Sequence, residues 1–238
     1  MSRTKSNHLF QFKLFAIAQD RCAMKVGTDA VLLATLPKFI AAHSILDIGT
    51  GTGVLSLMLA QQFPTAQITA LEIEESAAMQ AAENFANAKW SSNIKCQQVN
   101  FETFESNQTF DLIITNPPYF IDSLKSTDQA KNTARHATID MLNRWLAKSY
   151  DLLNNNGKFA IILPAASQEI TEFAMKNQLF IAEVIDIHSF EDSPVIRQIF
   201  ILTKVKQELK RNRFWIYKAQ NEYSDAYIEH LKPYLTIF

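Results

Sequence analysis

The tetrapeptide Asn116-Pro117-Pro118-Tyr119 follows the apolar run Phe110-Asp111-Leu112-Ile113-Ile114-Thr115 and brings together the parts that suit a planar nitrogen. An Asn amide oxygen and a carbonyl stiffened by proline both accept hydrogen bonds from an NH2 group, and the Tyr ring offers a stacking face. An aryl amine is a poor nucleophile because its lone pair is delocalised into the ring. Two acceptors drawing its hydrogens out of the ring plane localise that pair, so the pattern reads as a site for alkylating an amine. A proline turn with an incidental Asn cap is the plain structural alternative.

Upstream, Ile45-Leu46-Asp47-Ile48-Gly49-Thr50-Gly51-Thr52-Gly53 reads as a strand running into a glycine turn that opens a helix, where α/β sheets bind nucleotide-like cofactors. The dinucleotide fingerprint requires a third glycine three residues after the second, a position occupied here by Val54, which argues against a dehydrogenase. Glu72 closes the next strand and is placed to accept hydrogen bonds from two ribose hydroxyls. Asn100-Phe101 follows the third strand, with a polar group and an apolar face for an adenine. S-adenosyl-L-methionine fits these parts. Its sulfonium carries an electrophilic methyl, so the protein has to position an acceptor and exclude water.

These residues need a scaffold. From Ser44 onward, short β-branched or apolar runs alternate with helical patterns, the signature of an α/β fold with a mostly parallel sheet covered on both faces. Strands are expected at Ser44 to Ile48, Gln67 to Glu72, Asn93 to Val99, Phe110 to Thr115 and Lys158 to Leu163. Helices are expected at Gly53 to Phe63, Glu74 to Ala88, Thr138 to Asn154 and Ser167 to Asn177. Phe180 to Ser189 and Val195 to Lys204 read as an antiparallel hairpin, followed by a strand at Phe214 to Tyr217 and a helix at Ser224 to Leu231. The polar stretch from Tyr119 to Ala137 reads as a long loop, with Arg135 and His136 at its end as candidate substrate contacts. Before the sheet, Phe10 to Phe12 reads as a short strand, and Thr28 to Phe39 as a helix capped by Thr28 or Asp29. These first forty residues are expected to cover the carboxyl edge of the sheet, with Cys22 to Asp29, including Lys25 and Thr28, gripping cofactor or substrate.

A chain of 238 residues with 47% hydrophobic content is expected to form one domain over residues 1–238. No apolar run reaches the roughly 18 residues of a membrane span and the first residues lead into no secretion signal, which predicts a cytoplasmic protein. Cys22 and Cys96 lack metal-ligand spacing, so reduced thiols and no metal are expected. The net charge of −1 leaves a nucleic-acid partner open, since local patches attract phosphates while the total cancels. Basic residues cluster in Arg3, Lys5, Lys13, Arg21 and Lys25 and again in Lys204, Lys206, Lys210, Arg211 and Arg213, each also readable as a solvated face.

With its Asp47 to Gly53 loop and Asn116 to Tyr119 in that order, the chain resembles the class I S-adenosylmethionine-dependent methyltransferases of the N6-adenine type. More closely it resembles the bacterial tRNA(Val) adenine-N6 methyltransferases, through Phe10 to Lys13, Asp20 to Asp29, Ala134-Arg135-His136 and the tyrosine-containing C-terminal helix. The resemblance implies a Rossmann-like, seven-stranded sheet with an antiparallel last strand, and methylation of the adenosine beside the anticodon of tRNA. It implies that Asp47, Gly49, Thr50, Gly51, Gly53, Glu72, Ile73, Asn100 and Phe101 hold the cofactor, and that Asn116 to Tyr119, with Phe120, hold the target base. Asn100 stands where such enzymes commonly have Asp. Release-factor glutamine methyltransferases share the tetrapeptide but usually carry a helical N-terminal domain, for which about forty residues are too few. A ribosomal-RNA or DNA adenine methyltransferase, and a non-catalytic RNA-binding module on the same fold, remain as further readings.

Overall fold

The computed structural model of the protein describes residues 8–39, 41–118, 128–165 and 169–238, with residues 128–136 described by their backbone alone. The chain opens with a hairpin of β1 (Leu9–Gln11) and β2 (Ala16–Ala18), then α1 (Thr28–Thr35). The N-cap of α1 is Gly27, without a side-chain cap bond, so neither Thr28 nor Asp29 caps it as expected. Asp29 instead accepts from Arg197 Nε at 2.8 Å, a long-range partner that outcompetes the local one.

The central elements follow as β3 (Ser44–Ile48), α2 (Val54–Gln62), β4 (Gln67–Glu72), α3 (Glu75–Ala86), β5 (Ile94–Gln98) and β6 (Phe110–Thr115). Then come α4 (Asp128–Leu152), β7 (Leu153–Pro164), α5 (Glu169–Lys176), β8 (Phe180–His188), β9 (Val195–Thr203) and β10 (Lys210–Trp215). A small hairpin of β11 (Tyr217–Ala219) and β12 (Glu222–Tyr223) precedes α6 (Asp225–Leu231), which is capped by Ser224 Oγ accepting from Tyr227 N at 3.1 Å.

The sheet runs β10-β8-β9-β7-β6-β3-β4-β5, with β9 antiparallel to both neighbours and every other pairing parallel. The α/β class and the β8–β9 hairpin agree with expectation, but the sheet has eight strands rather than seven. The eighth, β10, adds in parallel to β8 at the edge. Its residues Lys210 to Arg213 are exposed, and such charged edges block further strand addition.

Alternating residues feed two cores. Ile45, Leu112, Ile114, Ala160 and Ile162 face α1 and α2, while Leu46, Ile113, Phe159 and Ile161 face α4 and α5. Each such burial of a Leu, Ile or Phe side chain contributes about 1.5–3 kcal/mol. Strands buried on both faces explain why the inner runs read as continuously apolar.

Helix α1 ends at Thr35 rather than Phe39, and β10 spans Lys210–Trp215 rather than Phe214 to Tyr217; two further boundaries differ from expectation. Helix α4 begins at Asp128, inside the stretch read as a loop, because extending a formed helix through residues such as Gln129, Ala130 and Ala134 needs no buried face. Strand β7 begins at Leu153, directly after α4, so the helix expected to run to Asn154 ends at Leu152 and Asn154 to Gly157 lie within the strand. The pairing jumps from Phe110↔Leu153 to Leu112↔Lys158, which makes those residues a bulge. A Cβ on Gly157 would stand 2.7 Å from the Phe110 carbonyl oxygen, which is why glycine is needed there.

Candidate active site at the carboxyl edge of the sheet

Strand order reverses on either side of β3, and the crevice this leaves at the carboxyl ends is where open α/β sheets bind ligands. A cavity of about 910 Å³ lies there. Four strand ends line it: Gly49 to Thr52 after β3, Glu72 to Glu74 after β4, Val99 to Glu102 around the end of β5, and Asn116 with Pro118 after β6. Some of the residues predicted in each of four separate stretches of sequence therefore meet in one place.

The glycine turn is left-handed three times, with φ of 70° at Gly49, 55° at Gly51 and 85° at Gly53. Gly49 N and Thr50 N both donate to the Leu71 carbonyl at 2.9 Å, and Gly51 N donates to Glu72 Oε2 at 2.9 Å. The other Glu72 oxygen accepts from Ile73 N and Glu74 N at 2.9 and 3.0 Å. Beside it, Ile73 keeps 63% of its surface exposed at the cavity wall.

Asp47 and Gly53, both read as cofactor residues, do not line the cavity but support the loop from beneath. Asp47 is fully buried; its Oδ2 accepts from Thr50 Oγ1 at 2.6 Å and Ser56 Oγ at 2.7 Å, while Oδ1 has no partner among the described residues. Burial pushes its pKa up to about 6, against the pull of the two hydroxyls, and the nearby Glu72 charge adds to the rise. A carboxyl with a raised folded-state pKa binds more protons folded than unfolded between its ordinary value and about 6. Its contribution to stability is thus largest in acid and is lost as pH rises through about 6. Between pH 5 and 7.5 the wild type should lose about 1.4 kcal/mol relative to Asp47→Asn. Urea denaturation of both proteins at the two pH values measures this; a difference independent of pH would contradict the buried-acid account.

The N-terminal segment closes one side of the cavity through Arg21 to Lys25 and Gly27 to Ala30, which include the predicted Lys25 and Thr28. What pins it was not read from the sequence. Asn84, on α3, accepts from Ala18 N and donates to the Ala18 and Thr52 carbonyls, all at 2.9 Å. One turn earlier, Gln80 accepts from Arg21 N at 3.0 Å and donates to Asp20 at 2.6 Å. Both amides are buried, and polar residues at i, i+4 on the inner face of an Ala-rich helix were the available signal. Arg21 also pairs with Glu83.

Cys22 lines the cavity, its sulfur 3.5 Å from where a Cβ on Gly51 would sit. Burial pushes its thiol pKa up, a bond from the Met24 backbone opposes this, and the Glu72 and Glu74 charges add to it; burial pushes Cys96 to about 11. Maleimide at alkaline pH should therefore label Cys22 slowly and ahead of Cys96. A ligand filling the cavity should slow that labelling by about 10-fold or more, as followed by intact-protein mass; unchanged labelling would place the ligand elsewhere.

At the end of β6, Thr115 Oγ1 donates to the Ile48 carbonyl at 2.9 Å, which sets Asn116 beside the glycine turn. Asn116 and Pro118 line the cavity, whereas Pro117 is buried outside its wall. Tyr119 and Phe120 lie outside the described residues; Arg135 and His136 are on α4, with side chains outside the description. Met141 and Trp145 of α4 also line the cavity, and neither was singled out in the sequence. Their i, i+4 spacing on the helix after the tetrapeptide was the signal. Among the described residues no group of His, Cys, Asp or Glu is arranged to hold a metal, and no helix is long and apolar enough to cross a membrane.

The chain is similar to known proteins in sequence and in fold. The family model of the methyltransferase small domain matches residues 23–187. The tRNA1(Val) (adenine(37)-N6)-methyltransferase of Pedobacter heparinus is 40% identical over 230 residues, covering 96% of this chain and 98% of its own. Its namesake in Bacteroides thetaiotaomicron is 38% identical over 231 residues, covering 96% and 98%. In fold, an Agrobacterium tumefaciens chain described as a predicted O-methyltransferase superposes with a TM-score of 0.69 at 18% identity, covering 87% of this chain and 96% of that one. A glycine turn and an Asn-Pro-Pro turn opening into one cavity, and identity sustained over nearly the whole length of such relatives, lead to one assignment: the chain belongs to the tRNA1(Val) (adenine(37)-N6)-methyltransferase family, built on the methyltransferase small domain.

Proposed function

We propose that this protein methylates the exocyclic N6 amine of an adenosine in tRNA, the one beside the anticodon of tRNA(Val), with S-adenosyl-L-methionine as methyl donor. The observation that carries this reading is that Asn116 and the Gly49–Thr52 turn line the same cavity. The reading makes residues 1–238 one catalytic domain in the cytoplasm, with residues 1–40 covering the active edge.

The residues present fit the donor. Left-handed glycines leave backbone space, Glu72 has three of its roughly four acceptor positions filled and keeps one at Oε2 for a ribose hydroxyl, and exposed Ile73 offers an apolar face. Asp47 and Gly53 hold the turn in shape; Gly49, Thr50, Gly51, Asn100, Phe101, Lys25 and Thr28 complete the enclosure. When bound, the donor supplies an electrophilic methyl on a sulfonium. The Asn116 side-chain oxygen and the Pro117 carbonyl accept the two amine hydrogens and turn the nitrogen lone pair out of the ring plane. Tyr119 stacks on the base, and Phe120, Arg135 and His136 contact the nucleotide. An anticodon-loop base is already partly unpaired, so presenting it costs little.

The test is tritium transfer from labelled donor to separate pools of unmodified tRNA, ribosomal RNA, DNA and release factor, followed by mass analysis of nucleosides. Label in tRNA as N6-methyladenosine is the expected result. Label in another pool alone overturns the substrate, and label in none overturns the enzymatic reading in favour of a binding module.

A further inference from the structure

The turn joining β8 to β9 lies on the same edge of the sheet as the cavity, because β8 runs in the direction of β6 and β7 while β9 runs against them. Three strand spacings separate β8 from β6, about 15 Å across the sheet. On that turn Phe190 keeps 41% of its surface exposed. An exposed apolar side chain is ordinary by itself. Here the backbone that carries it is tied down at several points. Ser193 Oγ accepts from Phe190 N and donates to the Phe190 carbonyl, both at 2.9 Å, and Ser193 N donates to that carbonyl at 3.1 Å. His188 Nδ1 meets the Ser193 carbonyl at 2.6 Å, Arg213 Nη2 donates to the Glu191 carbonyl at 2.8 Å, and Tyr217 N donates to the Ser189 carbonyl at 2.9 Å. Behind the ring stands a column of aromatics. Phe190 and Tyr217 have centroids 5.7 Å apart, and Tyr217, Tyr223 and Tyr227 stack in turn at 5.2 and 4.7 Å.

A ring held open on a stiff turn is preorganised for a flat partner, since little side-chain or loop freedom is lost when one stacks on it. Beside it, Arg213 is exposed; its guanidinium bonds to the Glu191 carbonyl and approaches His188 Nε2 at 3.5 Å, and it makes no ion pair among the described residues. Arg211, on the same face of β10, is paired with Asp186. Glu191 and Asp192 are exposed on the turn and disfavour a run of phosphates there, so the surface suits one base with one phosphate rather than a duplex backbone. Unpaired loop bases are flat ligands of that kind, and aromatic side chains hold them by stacking. We propose that the Phe190 turn is a tRNA contact outside the cavity: an unpaired base of the anticodon arm, other than the target, stacks on the Phe190 ring, and Arg213 takes a neighbouring phosphate. The proposal rests on the tRNA reading above and adds a second point at which that substrate is gripped.

Filter binding of unmodified tRNA(Val), intact and with single abasic positions in the anticodon arm, tests this at fixed salt. Phe190→Ala and Phe190→Leu should each weaken binding of the intact tRNA by about 10-fold, while Phe190→Trp stays within about 3-fold of wild type. One abasic position other than the target should weaken wild type by about 10-fold and Phe190→Ala no further, because both changes remove one stack. Arg213→Gln should lower the slope of log affinity against log salt by about 1. The proposal is overturned if Phe190→Ala binds the tRNA like wild type, which would leave the exposed ring to a protein partner. It is overturned equally if Phe190→Leu binds like wild type, which would make the contact apolar packing and not a stack, or if no abasic position other than the target weakens wild type. Should a variant fold poorly, seen in its thermal melt, the wild-type abasic series decides alone. Failure of wild type to bind tRNA at all would overturn the tRNA reading itself, a result distinct from the others.

Discussion

Asn116→Ala is expected to lower the rate constant for methyl transfer by about 10²–10³-fold, the usual effect of removing one preorganised polar group aimed at the reacting centre. The dissociation constant for S-adenosylhomocysteine should stay within about 2-fold, because the residues proposed to hold the donor come from other strand ends. The asymmetry follows from the architecture. Asn116 extends β6, tied to β3 by the Thr115 hydroxyl on the Ile48 carbonyl, and Pro117 and Pro118 fix the backbone immediately after it. A side chain on so stiff a turn is preorganised, and truncating it leaves the strand and the glycine turn as they were. Asn116→Asp keeps an acceptor of the same shape and should retain more activity than Asn116→Ala. Single-turnover kinetics beside calorimetry separates the two quantities. Unchanged transfer in Asn116→Ala would remove the amine-polarising role; a matching loss of donor affinity would make Asn116 a binding residue instead.

Gly53→Ala should cost about 2–5 kcal/mol of folding stability, while Gly49→Ala costs only about 1–2 kcal/mol. Both residues are left-handed, at φ of 85° and 70°, so both variants carry the backbone penalty. They differ in what a Cβ meets. At Gly53 it would lie 2.4 Å from Phe85 Cε1 and 2.8 Å from Cζ, on a ring only 3% exposed and held in the core; at Gly49 nothing lies within 4 Å. Phe85 sits on α3, the helix that also carries Asn84, so displacing it pushes on the element that pins the N-terminal cover. Denaturant titration of the two variants decides the matter. Equal losses would mean that left-handed strain, and not the approach of Phe85, is the reason for glycine at position 53.

Much of this protein is legible locally. The bounds of β4 and β6, the β8–β9 hairpin and the helix following the glycine turn can be read from short-range apolar patterns, because a strand buried on both faces must be apolar throughout. Glycines at every second position after β3, and an Asn with two prolines after β6, announce turn geometry that few other residues adopt. Tertiary structure decided the rest, and each instance depends on a partner distant in sequence. Whether Lys210 to Arg213 form a strand is set by β8, since an edge strand buries too little to need an apolar alternation. Gln80 and Asn84 look like surface amides on an Ala-rich helix until backbone some sixty residues away lies against them. Asp29 looks like a helix cap, yet Arg197 takes its carboxylate, 168 positions further along the chain. Trp145 looks like core packing, and only the folded chain brings it to a wall of the same cavity as Asn100. Hydrophobic periodicity reports which face of an element is buried; it carries no record of which polar group a buried donor or acceptor will meet, because that meeting is made by chain closure.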